Sequence, residues 1–257
     1  MNFYGHALLA TVSVGLAFYL FVKYWLNIEI KKALGLAALA APLCPIVNLL
    51  VKKPFFGMVL GGLGLENKPE TWPLWFLGAS LFVAPVTEEA IKVMPVALKA
   101  VRKNTSDQMN AFASGFCLGT GFGVGEIWYL VWSFTGKMPD LANGPFSHLV
   151  GFSSERILAT LVHGFLTAIL VYYLAVKRPW RGYFMAVLFH ALVNVGAALY
   201  QAKIISIYWA ALPILSAVLL LVLYAFKIER AIRREQPITT KGVILYRRSD
   251  GRKENGN

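Results

Sequence analysis

The sequence predicts an all-α fold, a polytopic membrane helix bundle of about seven transmembrane helices. Three observations predict it. Of 257 residues, 57% are hydrophobic and only 15% charged, with a mean hydropathy of +0.58, a balance that departs from that of soluble globular enzymes. Apolar stretches of about 20 residues, the length that crosses a hydrocarbon core, recur along the chain. Lys and Arg gather in alternate connections, as they do in membrane proteins with one cytoplasmic face.

The spans read approximately as 3–25, 33–51, 72–98, 109–134, 156–176, 181–201 and 204–227. No basic residue precedes the first apolar run, and Lys23, Lys31 and Lys32 follow it, the reverse of a cleavable signal peptide, so it reads as a retained span. Residues 52–71 contain Gly61-Gly62-Leu63-Gly64 without a clear period and read as an external loop or a re-entrant segment. In the third span Pro85 and Pro95 each remove a backbone donor, which predicts a kink or break there. The fourth carries Gly115, Gly119 and Gly123 at four-residue spacing, with Gly121 and Gly125 beside them; small residues at that interval let helix backbones approach closely. Residues 1–229 then form the transmembrane bundle, and 230–257 a polar, basic cytoplasmic tail expected to be largely disordered.

The net charge of +12 is concentrated in connections and tail. The first, third and fifth connections hold nine Lys and Arg and the chain from Lys227 onward nine more, 18 of 25. This bias places the N-terminus outside and the C-terminus in the cytoplasm, and it reads as attraction to anionic lipid, with no nucleic acid among the expected partners. Cys44 and Cys117 lie in apolar segments without metal-type spacing and read as packing residues.

Against this apolar background stand Glu88, Glu89, Glu126, His163, His190 and Asn194, all inside spans. If Glu behaves like Asp, each mid-membrane carboxylate costs about 2.5–3.5 kcal/mol, roughly 8–10 kcal/mol for three. That rivals the entire net stability of a typical protein, about 5–15 kcal/mol. Such groups persist only when they face a polar cavity or one another, which makes an intramembrane site the default reading. Lys92 lies four residues from Glu88 and three from Glu89, within reach of either. The two carboxylates diverge by about 100° around the helix, so one can face a cavity while the other is held behind it. The structural alternative is a plain ion pair of Lys92 with one Glu. His190 and Asn194 share a helix face, as do Phe122 and Glu126. His163 follows Arg156 by nearly two turns on the same face; Arg156, beside Glu155, reads equally as a rim ion pair. No role is read for His6 or His148.

Two chemistries fit this set. In one, a glutamate is general base on a water, a histidine orients it, and His190 with Asn194 stabilises the oxyanion on an attacked amide carbonyl. In the other, Glu126, His163 and His190 bind a divalent metal such as zinc, whose water becomes the nucleophile. Both hydrolyse a peptide bond. No HExxH signature selects between them.

The motifs resemble those of the superfamily that unites CAAX-type membrane proteases with PrsW-like proteases. Glu88-Glu89-Ala-Ile-Lys92 matches EExxK, Phe122-Gly-Val-Gly-Glu126 matches FxxxE, His163 stands on its own helix, and His190-Ala-Leu-Val-Asn194 matches HxxxN. The resemblance covers a protease-like core of about 72–201, and in length and layout the chain is similar to bacterial YhfC-type membrane peptidases. It implies an intramembrane endopeptidase of the bacterial cell membrane acting on a membrane-embedded or juxtamembrane protein or peptide, with catalytic Glu88, Glu89, Glu126, His163, His190 and Asn194 supported by Lys92, Phe122 and Arg156. Asn194 stands where the PrsW branch has aspartate, and Glu126 where the CAAX branch has histidine; prenylated substrates are not implied. A proton- or ion-coupled transporter would also bury Glu and His, but no repeated halves are found. A non-catalytic scaffold, which the superfamily also resembles, would not need both glutamates.

Overall fold

A computed structural model describes residues 2–26, 28–136, 150–235, 238–240 and 243–245. Helix α1 (Asn2–Leu20) ends in a π-helical turn, Phe21–Leu26. A helical stretch from Ile30 to Leu63 follows, made of α2 (Ile30–Ala40), α3 (Leu43–Val47), a π-helical turn (Asn48–Lys52) and α4 (Lys53–Leu63). Next come α5 (Leu74–Lys92), α6 (Lys99–Asn104), α7 (Gln108–Thr135), α8 (Val150–Ala175), α9 (Pro179–Gln201) and α10 (Ile207–Glu235). Two three-residue strands, β1 (Ile238–Thr240) and β2 (Val243–Leu245), pair antiparallel with Ile238 opposite Leu245.

Among the described residues, six helical stretches are long and apolar enough to cross a membrane. They correspond to six of the seven expected spans. The remaining one, α7, is 28 residues long, about 42 Å at 1.5 Å per residue. Its composition is diluted by Gly, Ser and Thr because its surroundings are protein. Every residue from Ala111 to Gly123 is buried, and α1, α2, α3 and α8 pack around it. Asp107 starts this helix, its carboxylate accepting from the Asn110 amide at 2.8 Å, a side-chain N-cap.

Close packing against α7 depends on two stripes of glycine. A Cβ at Gly119 would stand 2.1 Å from the His163 carbonyl oxygen, and one at Gly125 would stand 2.0 Å from that of Ala41. The first stripe, Gly115, Gly119 and Gly123, faces α8; the second, Gly121 and Gly125, faces α2 and the turn after it. On the other side α9 packs between α5, α8 and α10.

Three expectations change. Of residues 52–71, expected as an external loop or a re-entrant segment, 53–63 are α-helical and continue the helix past Lys52, with Pro54 in the first turn of α4. Pro85 does not break α5, which stays helical to Lys92 and stops at Val93, before a 3₁₀ turn that contains Pro95. The expected tail boundary at 229 is passed by six residues, because Ile228, Glu229 and Ile232 are buried against the bundle and keep α10 helical. His148, Lys137 and most of the tail lie outside the described residues.

Candidate active site

Four helices and one π-helical turn bring polar side chains to a single centre. The last turns of α5 present Glu88, Glu89 and Lys92, all buried. Phe122 and Glu126 come from α7, Arg156 and His163 from α8, His190 and Asn194 from α9, and Lys52 from the π turn before α4. Each desolvated charge has an opposite charge within reach, which is how a low-dielectric interior tolerates them.

The neighbouring glutamates have different surroundings. Glu89 is fully buried; its Oε1 accepts from Lys92 Nζ at 2.7 Å and from His190 Nδ1 at 2.7 Å. Glu88 faces the cavity and accepts at Oε1 from Lys52 Nζ at 2.6 Å. Its other oxygen, Oε2, is buried without a hydrogen-bond partner, as is Oε2 of Glu89, but Glu88 lines the cavity and Glu89 does not. Lys92 Nζ at 3.9 Å and His190 Nε2 at 4.0 Å are the ion-pair groups nearest Glu88 Oε2, both too far for a hydrogen bond.

His163 joins the two halves of the centre. Its Nδ1 lies 2.7 Å from Lys92 Nζ and its Nε2 lies 3.2 Å from Glu126 Oε2. The rings of His163 and His190 meet edge-on with centroids 5.2 Å apart, and Phe122 packs against His163 at 5.4 Å while lying 4.7 Å beneath the Lys92 ammonium. Arg156 donates to Glu126 at 2.9 Å and also pairs with Glu155.

Protonated lysine only donates. An ammonium on His163 Nδ1 therefore makes that nitrogen the acceptor, and the ring proton on Nε2 is directed at Glu126. In His190 the order is reversed, since Nδ1–H donates to the Glu89 carboxylate and Nε2 lies on the Glu88 side, 4.0 Å from Oε2. Glu89 thus fixes the tautomer of His190, the role a carboxylate plays behind a ligating or basic imidazole.

A cavity of about 180 Å³ is lined by Lys52, Glu88, Glu126, Arg156, His163, His190 and Asn194. It adjoins a vestibule of about 590 Å³ that shares Glu126, Arg156 and Asn194 and is otherwise walled mostly by apolar residues, among them Trp72, Leu77, Leu130, Phe134 and Phe152. That volume lies within the range of small-ligand sites, roughly 300–1,000 Å³.

All the residues singled out by their spacing meet here, with two differences. Glu126 is engaged by Arg156, and the side chains whose donor atoms lie within 4.8 Å of one another are Glu88, His163 and His190. The apolar windows place Lys52 in an outer connection, yet it enters the centre from a helix that continues beyond the apolar window; nothing in local spacing links it to Glu88, 36 residues on. Two buried histidines and a carboxylate with an unpartnered oxygen are a donor set suited to a divalent metal such as zinc. Glu88 Oε2 and His190 Nε2 fit as they stand, whereas His163 fits only after exchanging its present partners.

The fold and this centre define a polytopic membrane protein with a buried carboxylate and imidazole cluster that opens to a cavity. Residues 29–225 match the family described as PrsW family intramembrane metalloprotease. The chain belongs to that family of intramembrane proteases. No curated protein and no solved structure matches it.

Proposed function

We propose that this protease cleaves a membrane-embedded or juxtamembrane peptide bond with Glu88 as the working carboxylate and His190 as its partner. The observation that carries the reading is the buried Glu88 Oε2, without a hydrogen-bond partner and 4.0 Å from His190 Nε2, in a carboxylate and an imidazole that both line the cavity. Two acceptors at that separation can share one water, which donates a hydrogen to each and keeps a lone pair for attack. As water adds to the amide carbonyl, Glu88 takes its proton; Asn194, on the cavity wall one turn from His190, donates to the developing oxyanion. Collapse breaks the C–N bond, and the proton held by Glu88 passes to the leaving amine.

Glu88, His190 and, after its partner exchange, His163 would hold a divalent metal. Such an ion supplies a bound water of lowered pKa and polarises the scissile carbonyl. Whichever acidifies the water, Glu89 orients His190, Lys92 balances Glu89, and Glu126 with Arg156 closes the centre toward the vestibule.

The test is cleavage of a transmembrane substrate by the purified chain reconstituted in vesicles. Glu88→Gln keeps volume but removes the base or ligand, and should lower turnover at least about 100-fold with folding intact. Asn194→Ala should lower kcat by up to about 100- to 1000-fold if its amide is the critical oxyanion donor. Full turnover in Glu88→Gln would overturn Glu88 as the working carboxylate, whereas a wild type that cleaves nothing would favour a transporter or scaffold.

A further inference from the structure

We propose that Lys52 is a cation competitor built into the site, whose ammonium holds Glu88 when no metal is bound and weakens divalent-metal binding there. The inference rests on the reading that Glu88 and His190 can hold a metal. It concerns how the same carboxylate is shared between two cations. Lys52 Nζ is 2.6 Å from Glu88 Oε1, while Oε2 of that carboxylate has no hydrogen-bond partner and faces His190.

Charge balance explains the arrangement. Lys52, Lys92 and Arg156 match Glu88, Glu89 and Glu126, leaving the half-exposed Glu155 as an additional partner for Arg156. Lys92 cannot easily be displaced, because it is wholly buried and bonded to both Glu89 and His163. Lys52 differs in that its side chain is 15% exposed, it lines the cavity, and among the described residues its ion pair is to Glu88. It is also mounted at the end of a π-helical turn, Asn48–Lys52, an irregularity that often occurs at functional positions. A dication held by Glu88 would lie beside this ammonium in a site where solvent screens little, so the two cations repel across a shared carboxylate.

The competitor predicts a definite sign. In the full chain, purified in detergent and stripped with a chelator, Co²⁺ binding is titrated calorimetrically and by its visible spectrum. Lys52→Gln keeps a donor for Glu88 but removes the charge, and should lower the Kd for Co²⁺ at least about tenfold. Lys52→Arg retains the charge and should stay within about threefold of wild type. On a Glu88→Gln background the Lys52→Gln effect should disappear, which assigns the coupling to this pair. Lys52→Met gives a second neutral variant should Gln impair folding. Unchanged or weaker Co²⁺ binding in the neutral variants would overturn the competitor. Failure of wild type and neutral variants alike to bind Co²⁺ would overturn both the competitor and the metal reading. The cleavage assay on Glu88→Gln judges the hydrolytic reading independently.

Discussion

Glu88 and Glu89 are adjacent in the chain, and the turn of about 100° between them divides their labour. Glu89 faces Lys92 and His190 and has no access to the cavity, so its substitution should act through its neighbours. Glu89→Gln keeps an oxygen to accept from His190 and is expected to reduce cleavage by about tenfold, well short of the loss in Glu88→Gln; an equal loss in both would show that the two share the chemistry. Lys92→Met is a stability variant. It strands a buried carboxylate, and breaking a buried pair from one side costs about 3–5 kcal/mol. The melting temperature in detergent should therefore fall sharply, and an unchanged value would mean that Glu89 does not depend on this counter-charge. That Lys92 pairs with Glu88 or Glu89 was legible because both lie within about one turn of it on the same helix. The ion pair of Lys52 with Glu88 was not, because a contact between helices leaves no periodic trace.

The element that sets the site's dimensions is α7. Its glycines bring α8 so close that the His163 carbonyl occupies the space of a missing Gly119 side chain. Alanine there must push on backbone rather than on a flexible side chain. Gly119→Ala should thus move His163 away from Glu126 and Lys92, costing about 1–3 kcal/mol of stability as overpacked cores do. Cleavage should fall with it. Gly61→Ala on α4, where nothing lies within 4 Å, serves as the control and should be neutral or slightly stabilising. A drop in activity with Gly61→Ala equal to that with Gly119→Ala would refute the close-approach argument. The four-residue glycine interval by itself announces tight packing, but which stripe meets α8 and which meets α2 depends on the rotation of α7 within the bundle.

For the whole molecule, side-chain contacts group the connections as the Lys and Arg bias does. At one end, Lys203 pairs with Glu70 at 3.1 Å, joining the segments before α5 and before α10 beside the vestibule. At the other, Arg233 donates to the Trp25 carbonyl at 2.6 Å, tying the end of α10 to the first basic connection. We propose that this second, basic face is cytoplasmic and that the vestibule opens on the opposite one. Cysteines placed at Arg102 and Arg178 should react with an impermeant maleimide only from the cytoplasmic side, and one at Lys68 only from outside. The native Cys44 and Cys117 are free and buried, so the background should be low. Labelling of Arg102→Cys from outside would invert the assignment.

Apolar runs of membrane length, the Lys and Arg asymmetry, the glycine interval and the improbable cost of lone intramembrane charges are local properties of the chain, and they determined the fold class and the residues that had to converge. Tertiary structure decided which carboxylate faces the cavity, which histidine Glu89 holds, that Glu88 and not Glu126 stands within reach of both histidines, and that Lys52 belongs to the centre at all. Those outcomes depend on helix rotation and on the balance of charges between separate helices. In a low-dielectric core that balance is settled only when every carboxylate and every cation has found its partner.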